Sequence, residues 1–320
     1  MPLEFGRGAF IKLGEEATYG TIASSMPVDN RIISASFQKT QEKERKTHLS
    51  QSGAGGFQNG HFDAFLNVGG SIDLPLLYEG TGMLLKAAIG AVTTTDLGAS
   101  EDPRYQHDYE PSSDGELPSL SIGLQRGTGS KEIFLGCKVA TMGISGTAGE
   151  EVTASFEVIA QNADARAAAY TSSFGSGRQI FHFESGDLSY NSATYKMKSF
   201  ELSLDNKLER RNVLGDKKTL EPITNDVKDI TLSVTLEMED NVLYTAYLDG
   251  TQSDVEFTFT NSDGDLCNVL IRNCYITDYD DAVNTFGALE RTMTFVGEGD
   301  SSNEPIRIRI TNNQSSGVAN

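Results

Sequence analysis

The sequence has no tryptophan and, among 320 residues, only three cysteines, eight prolines and four histidines. Cys137, Cys267 and Cys274 are too few, and odd in number, for a disulfide framework, so the chain is expected to fold in a reducing compartment. His48, His61, His107 and His182 are scattered, with no pair at zinc-ligand spacing. Basic residues are scarce: 26 Lys and Arg stand against 45 Asp and Glu, a formal net charge of -19. A surface of that sign is unsuited to gripping nucleic acid by counterion displacement. Long apolar runs are missing too. The longest stretch, 74–92, is broken by Glu79 and Lys86, and residues 1–7 contain no apolar core of a signal peptide, so neither a membrane helix nor a leader is expected.

Catalytic motifs are equally sparse. The chain contains no Gly-x-Ser-x-Gly elbow and no phosphate-binding Gly-rich loop. The run Asn261-Ser262-Asp263-Gly264-Asp265 begins like a calcium loop, but its twelfth position is Arg272 rather than Glu, and a plain turn is the better reading. Asp278, Asp280 and Asp281 form the densest acidic cluster and read as a solvated loop. With so many carboxylates, pairs at glycosidase spacing arise by chance. No catalytic residue, cofactor or metal site is expected.

What the sequence does contain is a period of two. Ile230, Leu232, Val234 and Leu236 alternate with Thr231, Ser233, Thr235 and Glu237, and similar alternation recurs at Leu120-Ile122-Leu124, Ile133-Leu135-Cys137-Val139, Val255-Phe257-Phe259 and Ile306-Ile308-Ile310. Turn residues at 126–130 and 261–265 join pairs of these runs as hairpins. Only 82–89 and 241–248 read as helices. An antiparallel β protein, sandwich or barrel, follows.

The pattern also occurs twice. Phe37 to Lys46 can be laid on Leu202 to Arg211. The helical stretches then match through Gly90 and Gly250, Leu120-Ile122-Leu124 matches Val255-Phe257-Phe259, Cys137 and Val139 match Cys274 and Ile276, and Ala154 and Phe156 match Met293 and Phe295. Two similar domains are expected, at 31–163 and 178–311, preceded by an arm at 1–30, joined by a small polar linker at 164–177 and followed by a flexible tail at 312–320. The stretch 93–118 reads as a long loop. Nine of the 26 basic residues fall in two loops that correspond under the repeat: Lys39, Lys43, Arg45 and Lys46, and Lys207, Arg210, Arg211, Lys217 and Lys218. A basic projection on an acidic body suits head-to-tail docking onto an identical neighbour.

The opening Gly8-Ala9-Phe10-Ile11-Lys12-Leu13-Gly14-Glu15-Glu16-Ala17-Thr18-Tyr19-Gly20-Thr21 resembles the start of tail tube proteins, the major tail proteins of long-tailed, non-contractile bacteriophages. Tyr105-Gln106-His107-Asp108-Tyr109-Glu110-Pro111, Leu117-Pro118-Ser119-Leu120-Ser121-Ile122, Gly136-Cys137-Lys138-Val139, the loop 204–214 and Glu237-Met238-Glu239-Asp240 extend the resemblance over most of the chain. It implies a mainly β protein of two tandem tube-type β-sandwich or barrel domains, each with a short flanking helix. The implied role is that of a structural virion protein, made in the bacterial host cytoplasm, whose copies form stacked rings around a lumen through which DNA passes. A duplicated subunit would form a ring as a trimer with pseudo-sixfold symmetry. Ring-to-ring contact would fall to Lys39, Lys43, Arg45, Lys46, Lys207, Arg210 and Arg211, and the other partners implied are tail terminator, tape measure and distal tail proteins. Neither enzyme activity nor a membrane partner is expected. The rival readings are a receptor- or carbohydrate-binding β-sandwich, a carboxylate hydrolase, and the inner tube of a contractile or gene-transfer machine.

Overall fold

The structure, a computed structural model, describes residues 6–45, 61–98, 104–127, 130–167, 171, 174, 180–181, 186–237, 241–261, 263–280, 290–299 and 304–318. Alternating β-branched, aromatic and polar residues form antiparallel strands along most of it. The first part comprises β1 (Phe10–Glu15), β2 (Val28–Arg31), β3 (Ser34–Ala35), β4 (Gln38–Arg45), β5 (His61–Pro75), helix α1 (Gly82–Ile89), β6 (Gly90–Asp96), β7 (Tyr105–Pro111), β8 (Leu120–Arg126), β9 (Ser130–Thr147), β10 (Thr153–Ala160) and β11 (Asn162–Ala167). The second comprises β12 (Asp187–Tyr190), β13 (Ala193–Asp205), β14 (Leu208–Arg211), β15 (Leu220–Thr224), β16 (Asp229–Glu237), helix α2 (Val242–Asp249), β17 (Ser253–Thr260), β18 (Leu266–Asp280), β19 (Glu290–Val296) and β20 (Ile306–Asn312).

One long sheet runs through both parts in the order β4, β5, β10, β9, β13, β16, β19, β18, with β3 continuing the β4 edge beside β5. Its first four positions and its last four have the same topology: β4 corresponds to β13, β5 to β16, β10 to β19 and β9 to β18. The side sheets repeat as well. The order β1, β8, β9, β11 in one is matched by β12, β17, β18, β20 in the other. Strands β9 and β18 each serve two sheets, the first part of the strand in a side sheet and the last part in the long one.

The switch between sheets is made at the same point in both strands. Pairing of β8 with β9 jumps between Leu120↔Cys137 and Ile122↔Phe134, and pairing of β17 with β18 jumps between Ser253↔Cys274 and Val255↔Ile271. The residue that absorbs each bulge is left-handed: Gly136 at φ 62° and Asn273 at φ 49°. A Cβ on Gly136 would lie 2.9 Å from Gln161 Cβ and 3.0 Å from the Tyr19 ring, so glycine is also required by space. Each bulge N–H is capped by a carboxylate, Gly136 N–H by Glu16 Oε1 at 2.9 Å and Asn273 N–H by Asp254 Oδ1 at 3.0 Å. Buried Glu16 also accepts from Gly20 N–H (2.8 Å), Ser119 Oγ (2.9 Å) and Ser121 Oγ (2.8 Å).

The core lies between the long sheet and the side sheets and is continuous from one part to the other. Phe156, Met142, Leu202, Leu232 and Phe295 of the long sheet meet Ile11, Leu13, Phe134, Tyr190, Phe257 and Ile271 of the side sheets, all buried. Full burial of each such side chain contributes roughly 1.5–3 kcal/mol. Phe181 stitches the parts together, with ring centroids 3.7 Å from Tyr78 and 6.3 Å from Phe259.

Several segments differ from the sequence expectation. Of the stretch 93–118, most of 93–111 belongs to a hairpin, β6–β7, and β7 pairs with β20 through Ile308↔Tyr109 and Ile310↔His107. Its threonines, half-buried Tyr105 and lone buried Tyr109 carry too little apolar alternation to announce a strand. Residues 10–15 and 28–31, expected in an arm, are paired strands, because Ile11, Leu13 and Val28 are fully buried. Residues 164–167, expected in the linker, continue β11 against β9; much of 168–177 lies outside the described residues. The expected tail is docked up to Val318: Tyr109 Oη donates to Gly317 O at 2.6 Å, and buried His107 bonds Asn312 and Gln314 through Nε2. The repeat register also shifts by two residues in places. Equal bulges align Phe156 with Met293 and Val158 with Phe295, and Ile122 with Val255.

Candidate functional site

The long sheet turns one face to the core and the other to solvent. On the solvent face stand mostly small and acidic residues: Ser71, Thr141, Gly143, Ser145, Ser155, Ser203, Thr231, Ser233, Thr235, Thr292 and Thr294, with Asp73, Glu157, Glu201, Asp205, Asp229, Glu237, Asp278, Asp280 and Glu290. Two lysines among them are each held by two carboxylates. Lys198 Nζ lies 3.2 Å from Glu237 and 2.6 Å from Glu290, and Lys207 Nζ lies 2.8 Å from Asp205 and 2.7 Å from Asp229. These hydrogen bonds raise both lysine pKa values. The result is a wide polar face of net negative charge, without an aromatic platform for bases or sugars among these positions.

The two ends of this sheet are its second feature. Among the described residues β4 pairs only with β5, and 275–280 of β18 pairs only with β19. Exposed apolar surface gathers on α2, where Val242, Tyr244, Tyr247 and Leu248 are exposed, with the two tyrosine rings against Tyr279. Its counterpart α1 is buried at seven of eight positions.

The basic residues singled out from sequence fall in different settings. The distal part of β4–β5 and the β14–β15 hairpin come together, with Leu66 N–H donating to Lys217 O at 2.8 Å and Lys217 Nζ 2.9 Å from Asp63. Lys43 and Arg211 are exposed on these projections, and Leu214 at the β14–β15 tip is fully exposed. Lys39 Nζ instead donates within the chain to Asn162 Oδ1 and Ala163 O, at 2.9 and 2.7 Å. Arg210 is half-buried, and its guanidinium donates to Val68 O (2.5 Å) and Ala160 O (3.4 Å), tying the second part to the first. Sequence spacing gives no sign of that, since the acceptors are backbone carbonyls far along the chain. Lys46, together with His48 and His182, lies outside the described residues, as does the side chain of Arg45.

The Asn261–Asp265 segment is a turn: Asn261 Oδ1 accepts from Asp263 and Asp265 N–H, and Arg104 clasps Asp265. Among the described residues no three His, Cys, Asp or Glu side chains gather as metal ligands. All three cysteines are free and buried. Burial pushes the Cys267 and Cys274 thiols up to about 12, and that of Cys137 well above its usual value.

No curated protein matches the sequence closely enough to count as a relative. A family model described as phage tail tube protein matches residues 6–307, nearly the whole length, and its structural role agrees with a mainly β chain that offers an acidic sheet face and open sheet ends. The chain belongs to the phage tail tube protein family.

Proposed function

We propose that this tail tube protein assembles into rings that stack as the wall of a hollow tail, with the solvent face of the long sheet lining the lumen. The observation that carries the reading is the repeated long sheet. Four strands of one part pair through β9 and β13 with four equivalent strands of the other, leaving at the two ends β18 and β4, the counterparts of the two sides of that joint. A heterologous contact of this kind makes a ring when its rotation closes. Two like units per chain, β1–β11 and β12–β20, favour three chains per ring with pseudo-sixfold symmetry. Small side chains and carboxylates on the inner wall suit passage of DNA, because among the described residues they present no free cation to displace the counterions of the phosphates, Lys198 and Lys207 each being held by two carboxylates. The projecting β4–β5 and β14–β15 hairpins, with Lys43, Arg211 and Lys218, are placed for contact with the next ring. Tail terminator, tape measure and distal tail proteins are the further partners that family membership suggests, after synthesis in the host cytoplasm. The role requires no catalysis. Electron microscopy of the purified full chain tests it: hollow rings or tubes with three chains per turn are expected. Monodisperse particles that never form rings overturn the reading, and six chains per ring overturn the trimer.

A further inference from the structure

The joint between the two halves of the long sheet has a fixed register. Strand β9 pairs with β13 through Thr141↔Asp205, Met142↔Leu204 and Gly143↔Ser203, and Asn206 N–H donates to Ala140 O at 2.9 Å. Asn206 Nδ2 also donates to Val139 O (3.1 Å) and to Ala88 O in α1 (2.8 Å). The repeat gives each side of this joint a counterpart at an open end. On β18, the skipped residue Thr277 takes the place of the skipped Ala140, so Asp278 and Tyr279 stand where Thr141 and Met142 do. On β4, register against β5 sets Lys39, Thr40 and Gln41 where Leu204, Asp205 and Asn206 stand.

Burial changes at these positions in the direction a missing neighbour produces. Ala140, Met142, Leu204 and Asn206 are buried. Thr277 and Lys39 are exposed, and Tyr279 and Gln41 are half-buried. Helix α2, beside Tyr279, is also uncovered where α1 is not.

We infer that residues 277–279 of one chain pair antiparallel with residues 39–41 of a second copy, in the register Thr277↔Gln41, Asp278↔Thr40 and Tyr279↔Lys39. This rests on the ring reading above and adds to it the two edges and their alignment. The Gln41 carboxamide, which in the single chain donates to Ala64 O at 2.9 Å, turns on pairing to take the part of Asn206 and reaches the carbonyls of Ile276 and Leu248. The chemistry of the new contact differs from that of the joint. Met142 and Leu204 form an apolar pair that never parts, whereas Tyr279 meets the alkyl stem of Lys39, whose ammonium stays on Asn162 and Ala163. A lysine on the free edge keeps it from pairing indiscriminately before assembly.

The joint also supplies a test. Asn206 and Ala140 are a hydrogen-bonded pair, so Asp205 and Thr141 form a non-hydrogen-bonded one, with Cα atoms about 4.5 Å apart and side chains on the solvent face. Thr40 and Asp278 inherit that geometry, which lies within the roughly 4.4–6.8 Å span of a disulfide. The full chain carrying T40C and D278C is assembled and then oxidised; the natural cysteines are buried. Disulfide-linked oligomers joined at 40 and 278 are expected at no less than about tenfold the yield of Q38C with D278C, whose diagonal separation is about 7–8 Å. In the unsubstituted protein, amide exchange at 39–41 and 277–279 is expected to slow at least about tenfold on assembly, the scale of a newly paired edge. Rings or tubes that form without this link, or link better through position 38, overturn the register and leave the ring reading standing. Unchanged exchange in assembled tubes overturns the pairing itself. Failure of the unsubstituted chain to form any ring overturns both.

Discussion

Replacing Glu16 by Ala removes one buried carboxylate and the acceptor of four hydrogen bonds at once. The two serine hydroxyls can rotate toward other acceptors. The N–H groups of Gly136 and Gly20 cannot, because Gly136 is held left-handed inside a strand and Gly20 in a turn, also at positive φ. An unsatisfied buried donor costs about 1–3 kcal/mol, and the partly solvated Gly20 falls at the low end. A total near 3 kcal/mol is expected, allowing for the desolvation cost that Glu16 itself no longer incurs. At an m value of about 3 kcal/mol/M, that is a urea midpoint lower by about 1 M. The E16Q variant keeps the Oε1 bonds to Gly136 and Ser121 and turns an amide toward the Gly20 N–H, so roughly half the loss is expected. Circular dichroism during urea unfolding gives the midpoints, and amide exchange at Gly20 and Gly136 shows whether the loss is local. A shift for E16A below about 0.3 M, with both amides as protected as before, would refute the claim that this carboxylate pins the bulge at Gly136 and the turn at Gly20.

Arg210 and Arg211 are adjacent but should behave differently. R210E places a carboxylate against the carbonyls of Val68 and Ala160 and should lower stability by about 2–4 kcal/mol in thermal unfolding. R211E with K218E should leave the melting temperature within about 2 °C and shorten the tubes seen by microscopy. Burial lowers the His107 pKa, so the unfolded chain binds the extra proton first; the contribution of neutral His107 is complete above about pH 6.5 and is lost on acidification below it. Protection factors at 312–318, which remove the pH dependence of intrinsic amide exchange, should therefore fall between pH 7.5 and 5, and H107Q should abolish that fall. Thiol-specific labelling should find no reactive cysteine in the native chain and three in urea, since all three thiols are buried and held protonated.

Sequence alternation located β8, β9, β16, β17 and β20, and the internal repeat matched Phe37 with Leu202, which sheet register reproduces at the same spacing. It failed where a slip leaves alternation intact. A shift of two residues keeps every side chain on its face, so Phe156 could be laid on Phe295 instead of Met293 without disturbing the pattern. Only the bulges at Ala140 and Thr277 fix the alignment, and neither residue type announces one. The β6–β7 hairpin escaped because Thr93, Thr94, Thr95 and Gln106 look like loop residues until Tyr109 and His107 are seen buried against the C-terminal segment. Of the proposed basic contacts, charge and repetition located the projections. They could not tell which cations were already spoken for inside the chain, as Lys39 and Arg210 are.

Strands β9 and β18 pass from a side sheet into the long sheet without a break, turning at Gly136 and Asn273. The long-sheet and side-sheet layers are thus spliced by covalent backbone as well as pressed together by side chains. A shear force applied to one layer is handed to the other as tension along a peptide chain, where the core alone would have to resist by friction between methyl groups. A tube wall of the kind proposed above, which must bend without its lining peeling from its jacket, would gain most from such stitching, and the two left-handed corners are where each stitch crosses.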